Sequence, residues 1–557
     1  GSTYDGLFTN NSSSDIMNNA FNNNGGFGAS IRNGTAKSYS GNTGSGNGTD
    51  AFAVAALQVS SNLSWSASDT FPIRLYKPDG GYAHGVTVAE EIILTFAAGT
   101  FQIDHPVTIN GAGNFTLSAG ATLELKGIVE YEWTDGINDQ LTLSGAKTLD
   151  PGANYIFSGN AAQVSGSEFP ATVNNLTLNN STGLTLSSGT TVGGTLNLVS
   201  GNLTTGSNTL TVGTSASSTG SVSRTGGTLI GNLQRWIAAS QTSDILFPIG
   251  TADDYRPINL SYTTAPSTGG TLLAAFTASD PGTNGVDLSS DPVRDGSYNV
   301  KSCFSDGYWT LTPGNGLAGG MYSLDVTAAG FSGISDYTTL HLLKRVNSGS
   351  NWIADGTHLS TSGSNDIPVL HRSGMSGFSE FGVGDGEAIP PISLTATGGT
   401  TSATYNTLKE TFDAINAGTH TGDISILIES NVTEIASPVL NASGSGSSSY
   451  SSVLIRPGTA GVSISGAVST MIYLNGADNV TIDGQVGGNS GTKDLTIHNT
   501  STASSSNKAL YFAGDACNNT VKYVIMRGQA PSGSSFSIGN GLVHLSLIHI
   551  SEPTRPY

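Results

Sequence analysis

The chain has 557 residues, enough for several domains. Only 11% are charged while 37% are apolar and 74 are glycine, which argues against a charge-rich disordered chain. A net charge of −19 argues against nucleic acid as a partner, and no apolar run of about 18 residues provides a membrane span.

The apolar residues alternate with Ser, Thr and Asn and are broken by Gly, the pattern of a long all-β protein. Residues 1–85 form an incomplete Asn/Gly/Ser-rich β region, with strands at "AFAVAALQVS" and "FPIRLYKPDGG". From Val86 the texture changes. "VTVAEEIILTFAAGTFQI", "NFTLSAGATLELKG" and "LTLSGAKTLDPGANYIFSG" lead into a stretch, Leu176–Gly213, without charge or aromatic rings. There Leu176/Leu178, Leu184/Leu186, Leu196/Leu198 and Leu210/Val212 flank single polar residues. Side chains alternate along a strand, so each pair marks one buried face. Many short strands of this kind predict parallel β-solenoid repeats over 86–220, irregular in spacing.

Over 221–387 the residues diversify, and about eight strands with turn-rich spacing predict a β-sandwich. The candidates include "SDILFPIG", "RPINLSY", "TLLAAFTA", "GYWTLTP", "MYSLDVTA", "TLHLLKRV", "NWIADG" and "GFSEFGVG". Two adjacent prolines in "AIPPISL" read as a linker over 388–400. A helix is predicted next, with Leu408, Phe412 and Ile415 on one face, Thr407 and Glu410 as a capping box, and Gly418 as its stop. It would cap the open end of the coils that follow. "MIYLNGADNVTIDG" and "ALYFAGDACNNTVKYVIMRG" then form an internal repeat of strand, turn and strand.

On these segments, residues 401–544 resemble the start of a right-handed parallel β-helix of the pectin-lyase-like class. The "NLTLNNSTGLTLSSGTTVGGTLNL" texture, a sandwich ending in "FSEFGVG" and the "GADNVTIDG" helix together resemble large secreted surface proteins of Bacteroidetes-type bacteria exported by the type IX system. The resemblance implies an extracellular or cell-surface protein. "LSLIHISEPTRPY" (545–557) leaves this composition abruptly and resembles an in-frame translation of a transposase-type sequencing adapter. The expectation is a gene fragment ending near His544, with the β-helix truncated and any signal or sorting segment outside it.

Asp478 and Asp483 in "GADNVTIDG" are the candidate catalytic acids, since glycosidases need two carboxylates about 5–9.5 Å apart. Both also suit turns, where Asp bonds nearby backbone N–H groups. The Gly-His-Gly segment and Arg-x-Lys pattern of related polygalacturonases are absent, His498 is isolated, and nothing in the sequence ties Lys508, Lys522 or Arg527 to an acid cluster. Asp253 and Asp254 in "TADDY" are candidate ligands for calcium, which takes several oxygen ligands; otherwise no cofactor is implied. Cys303 and Cys517 belong to no CxxC pair or Cys/His cluster, so no zinc site is suggested. Tyr308, Trp309 and Trp352 are candidate sugar-stacking aromatics, with a core role the competing reading. Thr177, Thr185, Asn197 and Thr211 would line an outward ladder if their strands stacked.

The expected function is a non-catalytic, secreted, adhesin-like surface protein that makes weak repeated contacts with polysaccharide or cell-surface glycans. The alternatives are a carbohydrate-active enzyme, lyase or glycoside hydrolase, on 401–544, and a glycan-binding module in 221–387.

Overall fold

The computed structural model describes residues 3–78, 85–127, 135–282, 292–489, 491–502 and 508–528, and the backbone of the strand Val543–Leu545. The adapter-like tail beyond Leu545 lies outside the described residues. The protein is all-β and divides into two compact units, one of residues 1–295 and 300–387, the other of 296–299 and 388–557.

In the first unit, parallel stacking begins at Leu7–Asn10 and continues through ten successive strands to Ser221–Arg224. The change of texture at Val86 is therefore not a change of pairing. A second parallel sheet runs from Ile16–Met17 to Lys147–Leu149. A third starts at Gln163–Val164. The leucine pairs stack as their alternation demands: Leu176 faces Leu196, Leu178 faces Leu198, and Leu184 faces Leu203. All of these are buried.

The Asn-rich first coils use a different device. Asn19 N–H donates to Asn42 Oδ1 (3.1 Å), Asn24 Nδ2 to Asn47 Oδ1 (2.8 Å) and Asn33 Nδ2 to Asn10 Oδ1 (2.9 Å), each pair 23 residues apart. A side-chain amide both donates and accepts, so the same residue type can pair with itself from coil to coil. In the coils that follow, the core is aromatic. Trp65 stacks on Phe96 (5.9 Å), Phe96 on Phe101 (4.0 Å), and Phe115 meets Phe96 edge-on (5.0 Å).

The strand Thr228–Ile237 changes the architecture. On one side it pairs parallel with Asn202–Val212; on the other it pairs antiparallel with Gly270–Thr277. From there the third sheet continues antiparallel through Tyr308–Gly314 and Glu380–Ala388. A five-stranded antiparallel sheet runs from Ile245–Phe247 to Thr357–Gly363. These are the two sheets of the sandwich. "NWIADG" contributes one isolated bridge, Lys344 to Ile353, while Pro368–Met375 and Thr357–Gly363 are strands.

The second unit is a three-faced parallel β-helix. His420–Ile428, Tyr450–Pro457, Val480–Asp483 and Thr520–Lys522 form one face; strands from Val432–Thr433 to Val524–Gly528 form the next; strands from Val439–Asn441 to Val543–Leu545 form the third. The internal repeat is this stacking: Tyr473 faces Tyr511, and Asp483 faces Lys522. The segment expected as a linker is largely a strand, Ile392–Gly399, antiparallel to His420–Ile428. Its Ile392 and Leu394 are buried, so alternation overrides the two prolines that precede it.

The helix Leu408–Asn416 forms where its signals place it. Thr407 Oγ1 accepts from Glu410 N–H (3.1 Å), and Leu408, Phe412 and Ile415 are buried in the β-helix core. Gly418, at φ +76°, ends it in a backbone region that L side chains avoid. Its N-terminus is also held by buried Glu434, which accepts from Leu408 N–H (2.5 Å) and Lys409 N–H (3.3 Å). The exposed edge of His420–Ile428 is covered by the antiparallel strand rather than by the helix, which instead plugs the core.

Phe96→Ala should destabilise the first unit by about 3–5 kcal/mol through the cavity it opens. Thr177→Ala should change stability by no more than about 0.5 kcal/mol. Urea unfolding of the two variants measures the difference.

Candidate functional site

Asp478 and Asp483 are each engaged by residues of neighbouring coils. Asp478 Oδ1 accepts from Cys517 N–H (2.5 Å), tying its turn to the next coil. Asp483 is fully buried although its position faces away from the core. Arg456 Nη2 from the preceding coil lies 3.2 Å from Asp483 Oδ2, and Lys522 Nζ from the following coil lies 3.3 Å from the same oxygen. Gln485 N–H donates to Oδ1 (3.3 Å). The carboxylate is a clasp across three coils.

Lys522 is thus tied to an acid after all, by a neighbour invisible until the coils are stacked. Lys508 sits over the ring of Tyr511 (5.5 Å), and His498 faces Ser465 and Arg527 in adjacent coils, away from the Asp483 clasp. Tyr473 and Tyr511 stack at 4.8 Å. Stacking covers one face of each ring.

The sandwich candidates resolve similarly. Asp254 Oδ2 pairs with Arg256 Nη2 (3.0 Å), and Asp253 is exposed beside it. Trp309 and Trp352 are core residues, not sugar platforms. Trp309 is fully buried with its Nε1 donating to Arg256 O (2.9 Å), and Trp352 donates to Gly282 O (3.1 Å) beneath Arg345 (4.4 Å). Tyr308 is half-buried beside the same arginine (5.7 Å). Cys303 is surrounded closely enough that burial pushes its thiol up to about 12, far from a reactive thiolate.

The outward ladder also separates. Thr177 and Asn197 face each other in the first sheet, while Thr185 and Thr211 belong to the third. Thr211 there continues a column from Thr191 to Gln234, whose Oε1 accepts from Thr211 Oγ1 (3.2 Å). The four do not make one array.

Sequence reasoning missed a cluster formed by Asp295, His341 and His358. Their ligand-capable atoms all lie within 4.8 Å of one another. Asp295 accepts from Arg372 Nη1 (2.7 Å), Arg372 Nη2 (3.0 Å) and His341 Nδ1 (2.8 Å). The His341 and His358 rings stack at 4.0 Å and 25°. Both carboxylate oxygens are committed to cationic or N–H donors, and near-parallel stacked rings do not aim their in-plane lone pairs at one point. The set is therefore a buried ion network rather than a metal centre. Burial works against ionisation of Asp295, but the hydrogen bonds and charges of His341 and Arg372 outweigh it and hold this carboxyl well below the usual range. The four partners come from strands far apart in sequence, so no local spacing could have signalled them.

Fold and sites together define an all-β protein of stacked parallel coils in which Asp478 and Asp483 tie one coil to the next. Comparison with family models, with curated proteins and with solved structures finds no match for the chain.

Two predictions follow from these clusters. Asp483→Ala should cost about 1–3 kcal/mol in urea unfolding, the loss of hydrogen bonds to charged groups; a purely catalytic carboxylate would leave stability unchanged. His358 is held neutral, its pKa lowered to about 4 by desolvation first and by the charge of His341 second. As pH falls below the ordinary histidine value of about 6.5, the unfolded chain takes up a proton that the folded chain refuses until about pH 4. Stability from this group is thus full above that window and is lost as pH falls through it. The urea midpoint should drop between pH 7 and pH 4.5, and His358→Gln should flatten that drop.

Proposed function

We propose that this chain is a non-catalytic, secreted, cell-surface protein of adhesin-like character, in the style of the type IX-exported surface proteins of Bacteroidetes-type bacteria. Its coils hold modules in place and present weak contacts to polysaccharide or cell-surface glycans. The observation that carries this reading is the engagement of Asp483, the best-placed carboxylate on the β-helix, by Arg456 and Lys522. A general acid or nucleophile must face its substrate, and this one is enclosed.

Parallel coils also suit a spacer, because each stacks only on its neighbours and length grows without a larger core. Among the described residues no helix is long and apolar enough to cross a membrane. A glycan array combined with product analysis tests the reading. The full chain should retain glycans without releasing reducing ends or unsaturated uronates. Release of either product, abolished by Asp483→Asn, would establish instead a carbohydrate-active enzyme on residues 401–544.

A further inference from the structure

Asp325, His371 and Ser362 lie side by side on three neighbouring strands of the five-stranded sandwich sheet, Met321–Thr327, Pro368–Met375 and Thr357–Gly363. Asp325 Oδ1 is 2.7 Å from His371 Nδ1, and His371 Nε2 is 2.8 Å from Ser362 Oγ. With Nδ1–H donating to the carboxylate, the neutral ring keeps its Nε2 lone pair for the serine O–H. Carboxylate to Nδ1 and Nε2 to hydroxyl is the order of contacts that turns a serine into a nucleophile. The Asp295–His341 pair is buried in the ion network described above, whereas these groups open to solvent. Ser362 is exposed, and the side chains of His371 and Asp325 are 24% and 45% exposed.

A backbone irregularity brings the serine to this face. Asp325 is in register with His371, and His371 with Leu359, so all three point to one side of the sheet. Ser362, three residues beyond Leu359, would point to the other side of a regular strand. Between the pairs Leu359–His371 and Ser362–Val369, however, one strand has two residues, Ser360 and Thr361, and the other only Leu370. In this bulge Thr361 turns inward, buried, and its Oγ1 donates to Leu340 O (3.0 Å). Ser362 is thereby re-aimed beside His371, a use of bulges common next to reactive groups. Leu359 and Val369 flank the serine and histidine with apolar surface on the same face. Thr357–Gly363 is the last strand of its sheet, so alternate backbone N–H groups along it lie outside the ladder, where a developing oxyanion can meet them.

We propose that Ser362 is an acyl-acceptor site, taking one acyl group per chain from a carboxylic ester with a short acyl part. Ser362 Oγ bonds to the ester carbonyl carbon as its proton passes to His371 Nε2. The bond from that carbon to the alkoxy oxygen then breaks, and the leaving alkoxide takes the proton from His371 and departs as the alcohol. One ester is consumed, and one ester on Ser362 and one alcohol are formed. Asp325 is a positioning residue: it holds the ring and its tautomer and stabilises the transient imidazolium. The site goes beyond the glycan-contact reading, since it lies on the sandwich and breaks no glycosidic bond. On that reading the acyl group stays on Ser362.

Reaction of the full chain with p-nitrophenyl acetate tests this. The wild type should release a burst of one p-nitrophenolate per chain, and peptide mass spectrometry should find the acetyl group on Ser362. Ser362→Ala should abolish both, and His371→Gln should slow acylation at least about 100-fold. Asp325→Asn should slow it at least about tenfold and Asp325→Glu should recover part of the rate, a rescue that a merely structural contact would not give. All four variants should keep a urea midpoint close to that of the wild type. No burst from the wild type, an undiminished burst in Ser362→Ala, acetyl found only on lysines or other hydroxyls, or a wild-type rate in His371→Gln would each overturn the proposal. Repeated turnover that is lost in Ser362→Ala would uphold the site and overturn the non-catalytic reading; a labelled Ser362 in a chain that retains no glycan would uphold the site and overturn the glycan-contact reading.

Discussion

A coil of parallel strands cannot satisfy its own backbone. Every N–H and C=O on its rim must be met by the coil before it and the coil after it, and the whole protein is arranged around that demand. Leu176–Asn180 is met by Asn154–Gly159 and Thr195–Ser200, and this relay extends back to Leu7. In the second unit the antiparallel strand Ile392–Gly399 covers the first edge. The helix Leu408–Asn416 then has a different task, filling the open core with Leu408, Phe412 and Ile415.

The same demand accounts for the composition. Polar side chains at coil corners serve as backbone partners. Asn180 is fully buried, with its Nδ2 donating to Ala161 O (2.7 Å) and Gln163 Oε1 (2.8 Å). Asn499 is likewise fully buried and donates to Val468 O (2.8 Å) and Lys508 O (2.9 Å). Where charge does occur in a buried place, as at Asp483, it binds three coils together.

What was legible in the sequence was local. Strand alternation placed Leu176, Leu178, Leu196 and Leu198 on one buried face, and capping signals placed the helix ends to within a residue. The repeat of "MIYLNGADNVTIDG" in "ALYFAGDACNNTVKYVIMRG" aligned residues that do stack. What stayed hidden depends on which coil lies beside which. The 23-residue spacing of Asn10/Asn33, Asn19/Asn42 and Asn24/Asn47 was present but masked by the general abundance of Asn. The clasp at Asp483 and the network at Asp295 join residues from separate strands, so their members looked isolated. Trp309 and Trp352 looked available because sequence alone does not distinguish the two faces of a sandwich strand.

The strand Thr228–Ile237 has a mechanical consequence. It is bonded along one edge to a parallel coil and along the other to an antiparallel strand. Tension that tried to slide it lengthwise would have to shear two ladders together, so it acts as a clamp between solenoid and sandwich.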